Sequence, residues 1–163
     1  MSRIVHPNET ACISTHIIMP SQSNALGTVF GGQIMAWIDV CAAISAQRFA
    51  RATVVTAAMD QLMFRAPIRH GEIAVLQSQV NWAGTSSMEI GVRVEGEEPI
   101  TGVRTHTSTA YLTFVALDEH GAKVSLPTLV PQTAEDKQRW DQALERRKQR
   151  LSARERDRRR RGQ

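Results

Sequence analysis

The chain has 163 residues, 42% of them hydrophobic, which is enough for one domain with a substantial core but short for two. Its formal net charge of +4 is unevenly placed, because residues 1–132 carry 8 basic and 10 acidic side chains whereas residues 133–163 carry 12 and 6. The basic character therefore belongs to the C-terminal segment, and it does not mark the rest of the chain as a nucleic-acid binder. Two cysteines without a Cys-x-x-Cys spacing argue against a disulfide framework or a zinc site and favour reduced thiols in the cytoplasm.

The N-terminal region predicts one strand and one loop. Residues 1–14 lack the continuous apolar run of a signal peptide, so secretion is not expected. Residues 10–19 have the composition of a strand, and residues 20–27, rich in Ser, Gln, Asn and Gly, predict a polar connection.

Residues 28–47, TVFGGQIMAWIDVCAAISAQ, have helical periodicity and contain a single charged residue, Asp39. Apolar and small side chains occupy nearly all faces, which predicts a helix enclosed by protein. A carboxylate in such a place must be paired or used, because burying it alone is costly. The helix alone leaves both alternatives open, a satisfied buried acid or a functional one. A membrane span is disfavoured by Asp39, by Gln33, by the Gly31-Gly32 start and by the lack of flanking basic clusters.

After Arg51 the pattern changes to strands. Four are predicted, at residues 54–64, 73–82, 88–95 and 105–117, with turns at Gly71-Glu72 and at residues 118–121. The order of one strand, one helix and four strands predicts an α+β domain in which an antiparallel β-sheet wraps a long central helix.

The C-terminal segment, residues 133–163, predicts a basic helix that begins at a capping Thr133 and frays at its end. Its large apolar anchors are Trp140, Leu144 and Leu151. The arginines at 154, 156 and 158–161 form a basic run without interleaved aromatic residues, which supports salt-sensitive, non-specific contact but no specific nucleic-acid partner. The predicted division is therefore a domain at 1–132 and a helical extension at 133–163.

Four motifs occur in an order that resembles the hotdog-fold acyl-CoA thioesterases, in particular the small bacterial enzymes and the brain-type cytosolic acyl-CoA hydrolases. They are N-A-L-G-T-V-F-G-G at residues 24–32 followed by Asp39, F-R-A-P-I-R-H-G-E at 64–72, G-T-S-S-M at 84–88, and T-F-V-A-L-D at 113–118. The resemblance covers residues 10–130. It implies a hotdog fold and hydrolysis of acyl-CoA to a fatty acid and coenzyme A, which is substrate and product rather than a cofactor. No cofactor and no metal are expected.

The resemblance also implies roles for individual residues. Asp39 would act as base or nucleophile, and Asn24 of the partner subunit would orient the attacking water. The Gly32 amide would polarise the thioester carbonyl, with Gly31 shaping the turn. This last role agrees with physical reasoning, since glycines at a helix start let free N–H groups approach a ligand. A homodimer would be the minimal unit, with a hexamer built as a trimer of dimers.

Substrate contacts are less specific in the sequence. By the same resemblance, Thr85, Ser86 and Ser87 would bind the pantetheine amides, although they could simply cap the turn before a strand. The phosphates of coenzyme A call for Arg or Lys at the mouth of the site, and the candidates are Arg65, Arg69, Arg93 and Arg104.

Other functions remain as alternatives. A non-catalytic hotdog module that binds acyl-CoA would not need to keep both Asn24 and Asp39. A serine hydrolase is disfavoured because no Gly-x-Ser-x-Gly motif occurs, and a hotdog dehydratase because no histidine lies in the helix or the loop before it. Cys41 is expected to be a small core residue, and His106 a hydrogen-bonded one.

Overall fold

The computed structural model describes residues 3–60 and 62–162. Its central element is helix α1, Gly31–Ala50, which starts after the extended Phe30 and ends at Arg51, whose φ of 53° is left-handed. The buried side chains of α1 lie on one stripe, formed by Ile34, Ile38, Cys41, Ala42, Ser45, Ala46 and Phe49. The predicted helix and its Gly-Gly start are confirmed, with both ends displaced toward the C-terminus.

A two-strand pair and a five-strand sheet surround this helix. In the small pair, β1 (Ile4–Val5) lies parallel to β7 (Thr128–Leu129). The large sheet is antiparallel and contains β2 (Cys12–Ile17), β3 (Thr53–Met59), β4 (Ile73–Ala83), β5 (Ser87–Glu97) and β6 (Arg104–Leu117), in the order β2-β4-β5-β6-β3. This architecture confirms the predicted α+β hotdog arrangement. It also makes β2 and β3 the two edge strands.

Residue alternation gives the large sheet two different faces. Leu76, Ile90 and Leu112 are fully buried toward α1 and form the core with the helix stripe. Their neighbours Glu89 and Tyr111 point to the opposite face. That second face is not left to solvent, since a further helix lies on it.

Helix α2, Ala134–Arg160, packs on the sheet face opposite α1. Its start is capped as predicted, because the Thr133 hydroxyl accepts the Asp136 N–H at 3.0 Å. Trp140 packs against Trp82 of β4 with ring centroids 6.4 Å apart, and Ala143 is fully buried. The helix continues to Arg160 instead of fraying. The division of the chain after residue 132 stays a prediction.

Several strand boundaries differ from the sequence-based prediction. The first strand is shorter than residues 10–19 because Pro7–Thr10 forms a 3₁₀ turn. The second ends at Met59 instead of residue 64, because a bulge between Thr56 and Ala58 bends β3 and the chain leaves the sheet after Asp60. Phe64, at the end of the predicted strand, instead lines a cavity.

One face of α1 is not covered by this chain. Met35 is 43% exposed and Val40 59%, and the edge strand β3 beside them exposes Val55 at 43%. The sheet therefore wraps the helix as predicted, but one chain alone leaves this face of α1 without the cover that its apolar composition predicts. Among the described residues, no strand pairs with the outer side of β3 to cover this face. No helix in the described ranges has the length and apolar composition needed to cross a membrane.

Candidate active site

The start of α1 presents free backbone donors. Gln33 and Ile34 already bond back to the Phe30 carbonyl, at 3.0 and 3.2 Å. Within the described residues, the amides of Gly31 and Gly32 have no hydrogen-bond partner, as is usual for the first turn of a helix. Gly32 is exposed, and a Cβ there would meet nothing within 4 Å. Two N–H groups at the positive end of the helix dipole are thus open to a ligand.

Gly31 has a different role from Gly32. A Cβ on Gly31 would lie 3.3 Å from Cε2 of Phe64, closer than a comfortable contact. Glycine at this position therefore lets the aromatic ring stand directly against the first turn of the helix. This contact is a packing constraint at Gly31, and the role in substrate binding expected of this residue stays a prediction.

Asp39 lies two turns further along α1 and is held by a residue of β3. Its Oδ1 accepts a hydrogen bond from the Thr56 hydroxyl at 2.7 Å. Asp39 is half-buried and Thr56 is exposed, so the carboxylate stays reachable from the uncovered face. Oδ2 accepts no hydrogen bond from the part of the chain that the structure describes. Asp39 is thus positioned by one donor and has one oxygen free for another.

Gly32 and Asp39 are seven residues apart in the helix, and so share nearly one face. At 1.5 Å per residue, they are about 10 Å apart along the helix axis. This separation leaves room for a carbonyl group whose oxygen binds the Gly32 amide and for a water molecule between that group and Asp39. It is too long for Asp39 to contact the carbonyl carbon directly.

Asn24 organises the loop before the helix. Its Oδ1 accepts the N–H groups of Leu26 and Thr28, and its Nδ2 donates to the Thr28 hydroxyl at 3.0 Å. Asn24 is half-buried, and it makes no hydrogen bond to Asp39 of the same chain. Within one chain it therefore acts as a turn former.

A cavity of about 270 Å³ opens beside the first turn of α1. Its walls are mainly apolar, and it is lined by Thr28, Val29, Gly31, Ile34, Phe64, Arg65, Ala66, Pro67 and Ile68. An apolar pocket next to free helix N–H groups suits a ligand that joins an apolar chain to a polarisable carbonyl. A larger cavity of about 420 Å³ lies on the opposite face of the sheet beside α2, and of the predicted site residues only Arg93, a candidate for the phosphates, lines it.

The Thr85-Ser86-Ser87 turn is not part of this cavity within one chain. It joins β4 to β5, and its carbonyls are used structurally: that of Thr85 accepts the Leu126 N–H, and that of Ser86 accepts the Ala116 N–H. The structure thus places Gly31 and Gly32 beside the cavity, and Asp39 beside Thr56. The turn at residues 85–87 lies away from both.

The four candidate arginines are in different settings. Arg93 pairs with Glu95 at 2.7 Å and Arg104 with Glu97 at 2.6 Å, so both are committed to strand neighbours. Arg65 is exposed and lines the cavity beside α1. Arg69 is exposed and does not line this cavity, so Arg65 is the one candidate of the four that borders it.

The remaining chemically active side chains are structural. Cys41 is fully buried, and burial raises the pKa of its thiol to about 11. His106 is half-buried and shares a 2.9 Å hydrogen bond with Thr109. His16 stacks on Trp37 with ring centroids 4.3 Å apart, a contact that the sequence did not suggest, and burial lowers its pKa. No group of potential metal ligands occurs in residues 3–60 or 62–162.

Comparison with known proteins agrees with this geometry. The family model of the thioesterase superfamily matches residues 26–103, which include the helix start and Asp39. An uncharacterized acyl-CoA thioester hydrolase of Bacillus subtilis is 44% identical over 128 residues, covering 78% of this chain and 74% of that protein. The chain belongs to the thioesterase superfamily. Other superfamily members are much longer: mouse acyl-coenzyme A thioesterase 11 is 37% identical over 92% of this chain, which spans only 25% of its length.

Solved structures of superfamily members extend the comparison. The acyl-CoA hydrolase of Staphylococcus aureus, in complex with butyryl coenzyme A and coenzyme A, is 35% identical, with a TM-score of 0.89 over 96% of this chain and 95% of that one. Variants of it with one aspartate, one threonine or one asparagine replaced by alanine are equally similar. A hexameric acyl-CoA thioesterase without ligand is 36% identical, with a TM-score of 0.89 over 93% of this chain and 97% of that one.

Two parts of the site escaped sequence reasoning. Thr56, the donor to Asp39, lies 17 residues away on another element, in a strand whose pattern singles out no polar residue. Phe64 was placed inside a strand, although it forms a wall of the cavity. The signals in the sequence for Phe64 were its place at the start of the F-R-A-P-I-R-H-G-E motif and its position just before Ala66-Pro67.

Proposed function

We propose that this protein is an acyl-CoA thioesterase. Water adds to the thioester carbonyl, the tetrahedral intermediate expels coenzyme A by breaking the C–S bond, and the products are a fatty acid and coenzyme A. The proton lost by water passes through Asp39 to the leaving thiolate. No metal or cofactor takes part in this scheme.

The observation that carries the proposal is the shared face of α1. That face combines the unpaired Gly31 and Gly32 amides, the apolar cavity beside them, and an accessible Asp39 held by Thr56. A pair of free N–H groups stabilises the oxyanion that forms on the carbonyl oxygen, and losing one such donor typically costs about 3 to 4 kcal/mol. Asp39 then lies where it can accept a proton from water.

The Staphylococcus aureus hydrolase supports the assignment of residues. The asparagine, aspartate and threonine replaced in its variants have the same spacing along the chain as Asn24, Asp39 and Thr56 have here. We therefore add Thr56 to the proposed site as the residue that orients the Asp39 carboxylate.

Two routes for Asp39 follow from the chemistry. As a base it removes a proton from water, and the separation from Gly32 leaves room for that water. As a nucleophile it would form an anhydride with the acyl group, and Gly32 of the partner subunit would have to hold the carbonyl. A single turnover in H₂¹⁸O separates them, since only the nucleophile route places ¹⁸O in the Asp39 carboxylate when the anhydride is opened at the aspartyl carbon.

The minimal unit in this proposal is a homodimer formed along β3. This edge strand is unpaired on its outer side, and Met35, Val40 and Val55 expose apolar surface beside it. Pairing two copies there would cover α1 and bring Asn24 of the partner subunit toward Asp39. The hexameric relative supports further assembly as a trimer of dimers. We also propose a cytoplasmic location, consistent with two free thiols.

Substrate contacts complete the proposal. The cavity beside Gly31 takes the acyl chain, and Arg65 at its rim contacts the phosphates of coenzyme A. Thr85, Ser86 and Ser87 bind the pantetheine amides, which requires a turn from another subunit because their own turn lies outside the cavity.

The proposed activity is tested by thiol release from a panel of acyl-CoA esters of increasing chain length. Turnover of at least one ester is expected, whereas binding without release of thiol would favour the alternative, a non-catalytic acyl-CoA module.

Shared sites are tested by mixing Asn24→Ala and Asp39→Ala homodimers, each of which should be nearly inactive. After subunit exchange the mixture should regain about a quarter to a half of the activity, because two-fold symmetry leaves one intact site in each heterodimer. Failure to regain it, with subunit exchange verified by mass, would contradict the shared site.

A further inference from the structure

We infer that Arg150 of α2 is a positioning residue for the acyl-chain cavity, although it lies on the other side of the sheet. The segment it acts on is residues 62–67, called the site segment below, which contributes Phe64, Arg65, Ala66 and Pro67 to the cavity wall. The identity of the ligand rests on the proposed function. The mechanical link is the ion pair between Arg150 and Asp60, which lies two residues before this segment.

Asp60 connects α2 to the site segment. It follows Met59, the last residue of β3, and its N–H bonds to the Tyr111 carbonyl at 2.8 Å. Its Oδ2 accepts a hydrogen bond from Nη1 of Arg150 at 2.6 Å. The two side chains are only 21% and 18% exposed, so solvent screens this ion pair less than an ordinary surface pair.

Arg150 is itself held in place. Its Nη1 lies 3.8 Å from the carboxylate of Glu89, a fully buried residue of β5. The same carboxylate binds Arg146 at 2.7 Å, and the Arg146 guanidinium stacks 3.5 Å above the ring of Tyr111. These contacts tie α2 to β5 and β6, so Arg150 presents a fixed cation to Asp60.

The site segment has few other restraints. Within the described residues, its single backbone hydrogen bond runs from the Arg65 N–H to the Thr107 carbonyl, at 2.7 Å. Met63 is 56% exposed and Phe64 45%. The described restraints are Asp60 just before the segment, the packing of Leu62 against the core, the Arg65 bond within it, and Ile68 just after it, whose carbonyl accepts the Val29 N–H at 2.9 Å. Phe64 lies between Asp60 and the Arg65 bond, against Gly31, so the ion pair at Asp60 helps to set the position of this part of the cavity wall.

The first test is hydrogen exchange of peptides covering residues 60–68 in the full-length protein. In Arg150→Met, which keeps the length of the side chain but removes its charge, exchange in these peptides should become about tenfold faster, because local opening is no longer opposed by the ion pair. Asp60→Asn should behave alike, and Arg150→Lys should restore most of the protection. The matched control is Arg147→Met, since Arg147 lies on the same helix with its guanidinium 5.1 Å from the ring of Trp82.

The second test is acyl-chain selectivity. The ratio of kcat/KM for octanoyl-CoA to that for acetyl-CoA should change by about fivefold in Arg150→Met, mainly through KM for the longer chain, and should be unchanged in Arg147→Met. In the Arg150→Met/Asp60→Asn double variant the effects should not add, since both changes break one contact.

The outcomes separate the two proposals. If the wild-type protein hydrolyses no acyl-CoA, the proposed function fails, and the exchange comparison still decides whether Arg150 positions the segment. If the wild-type protein is active but Arg150→Met keeps the exchange and selectivity of the wild type, the positioning role is wrong. Faster exchange spread evenly over the sheet, with unchanged selectivity, would make Arg150 a residue of stability only and would also overturn it.

Discussion

The ion pair between Arg146 and Glu89 is expected to contribute strongly to the free energy of unfolding. Glu89 is fully buried on the sheet face under α2, and Arg146 binds its carboxylate through Nη2 at 2.7 Å and Nε at 3.2 Å. Replacing Arg146 by Met keeps much of the side-chain packing but leaves a buried carboxylate with one weaker partner, Arg150 at 3.8 Å. Breaking a buried pair in this way typically costs about 3 to 5 kcal/mol, and the remaining arginine should keep the loss near the lower value, about 3 kcal/mol.

The assay is thermal and urea unfolding at fixed protein concentration. For a domain of this size, a loss of about 3 kcal/mol corresponds to a fall in Tm of roughly 6 to 12 °C. Arg147→Met, which removes only a cation over an aromatic ring, should cost about 0.5 to 1 kcal/mol. Adding Glu89→Gln to Arg146→Met should recover part of the loss, because the unpaired charge is gone. Arg146→Met within 1 kcal/mol of wild type would refute the view that this pair docks α2.

Two further predictions concern the tail and the helix thiol. Deleting residues 152–163 should leave Tm and oligomer size nearly unchanged, because the described side chains of this segment are almost all exposed. The deletion should lower kcat/KM for acyl-CoA by up to about tenfold at low salt, because the positive charge that attracts the substrate is lost. This difference should decrease as ionic strength rises. Early melting or loss of assembly would instead make this end of α2 structural. Because burial raises the pKa of Cys41 to about 11, its thiol should stay protonated and unreactive toward Ellman's reagent at pH 8 until the protein is unfolded. Rapid labelling of the native protein would contradict this.

Local chemistry explains which elements could be predicted from the sequence. The Gly31-Gly32 start, the apolar periodicity after it and the capping Thr133 are short-range signals, and the structure contains both helices. The β1–β7 pair was missed because it joins two-residue strands from opposite ends of the chain. Residues 62–64 were misassigned because a short apolar run does not show whether it forms a strand: Leu62 packs against the core, Met63 is exposed and Phe64 lines the cavity.

The candidate site was predictable only in part, and the reason is again distance along the chain. Asp39 stood out as a lone charge, but its exposure could not be foreseen, because the helix composition suggested enclosure on all sides. Apolar side chains such as Met35 and Val40 remain uncovered in one chain, so the helix composition fits the surface that a second copy would bury. Likewise, Arg146 pairs with a residue 57 positions away and Arg150 with one 90 positions away. The sequence of the C-terminal segment showed only that it is basic, and did not indicate these partners.

The central claim is that Asp39 performs the chemistry of thioester hydrolysis. The most direct measurement is kcat for thiol release by wild type and by Asp39→Asn, with circular dichroism and Tm confirming that the variant is folded. The amide preserves volume and polarity, and the Thr56 hydroxyl can still donate to its oxygen, but it cannot accept a proton from water or attack the carbonyl. We expect kcat of the variant to fall by roughly 10²-fold or more, the range for a lost general base. A folded Asp39→Asn variant with kcat near that of the wild type would contradict it.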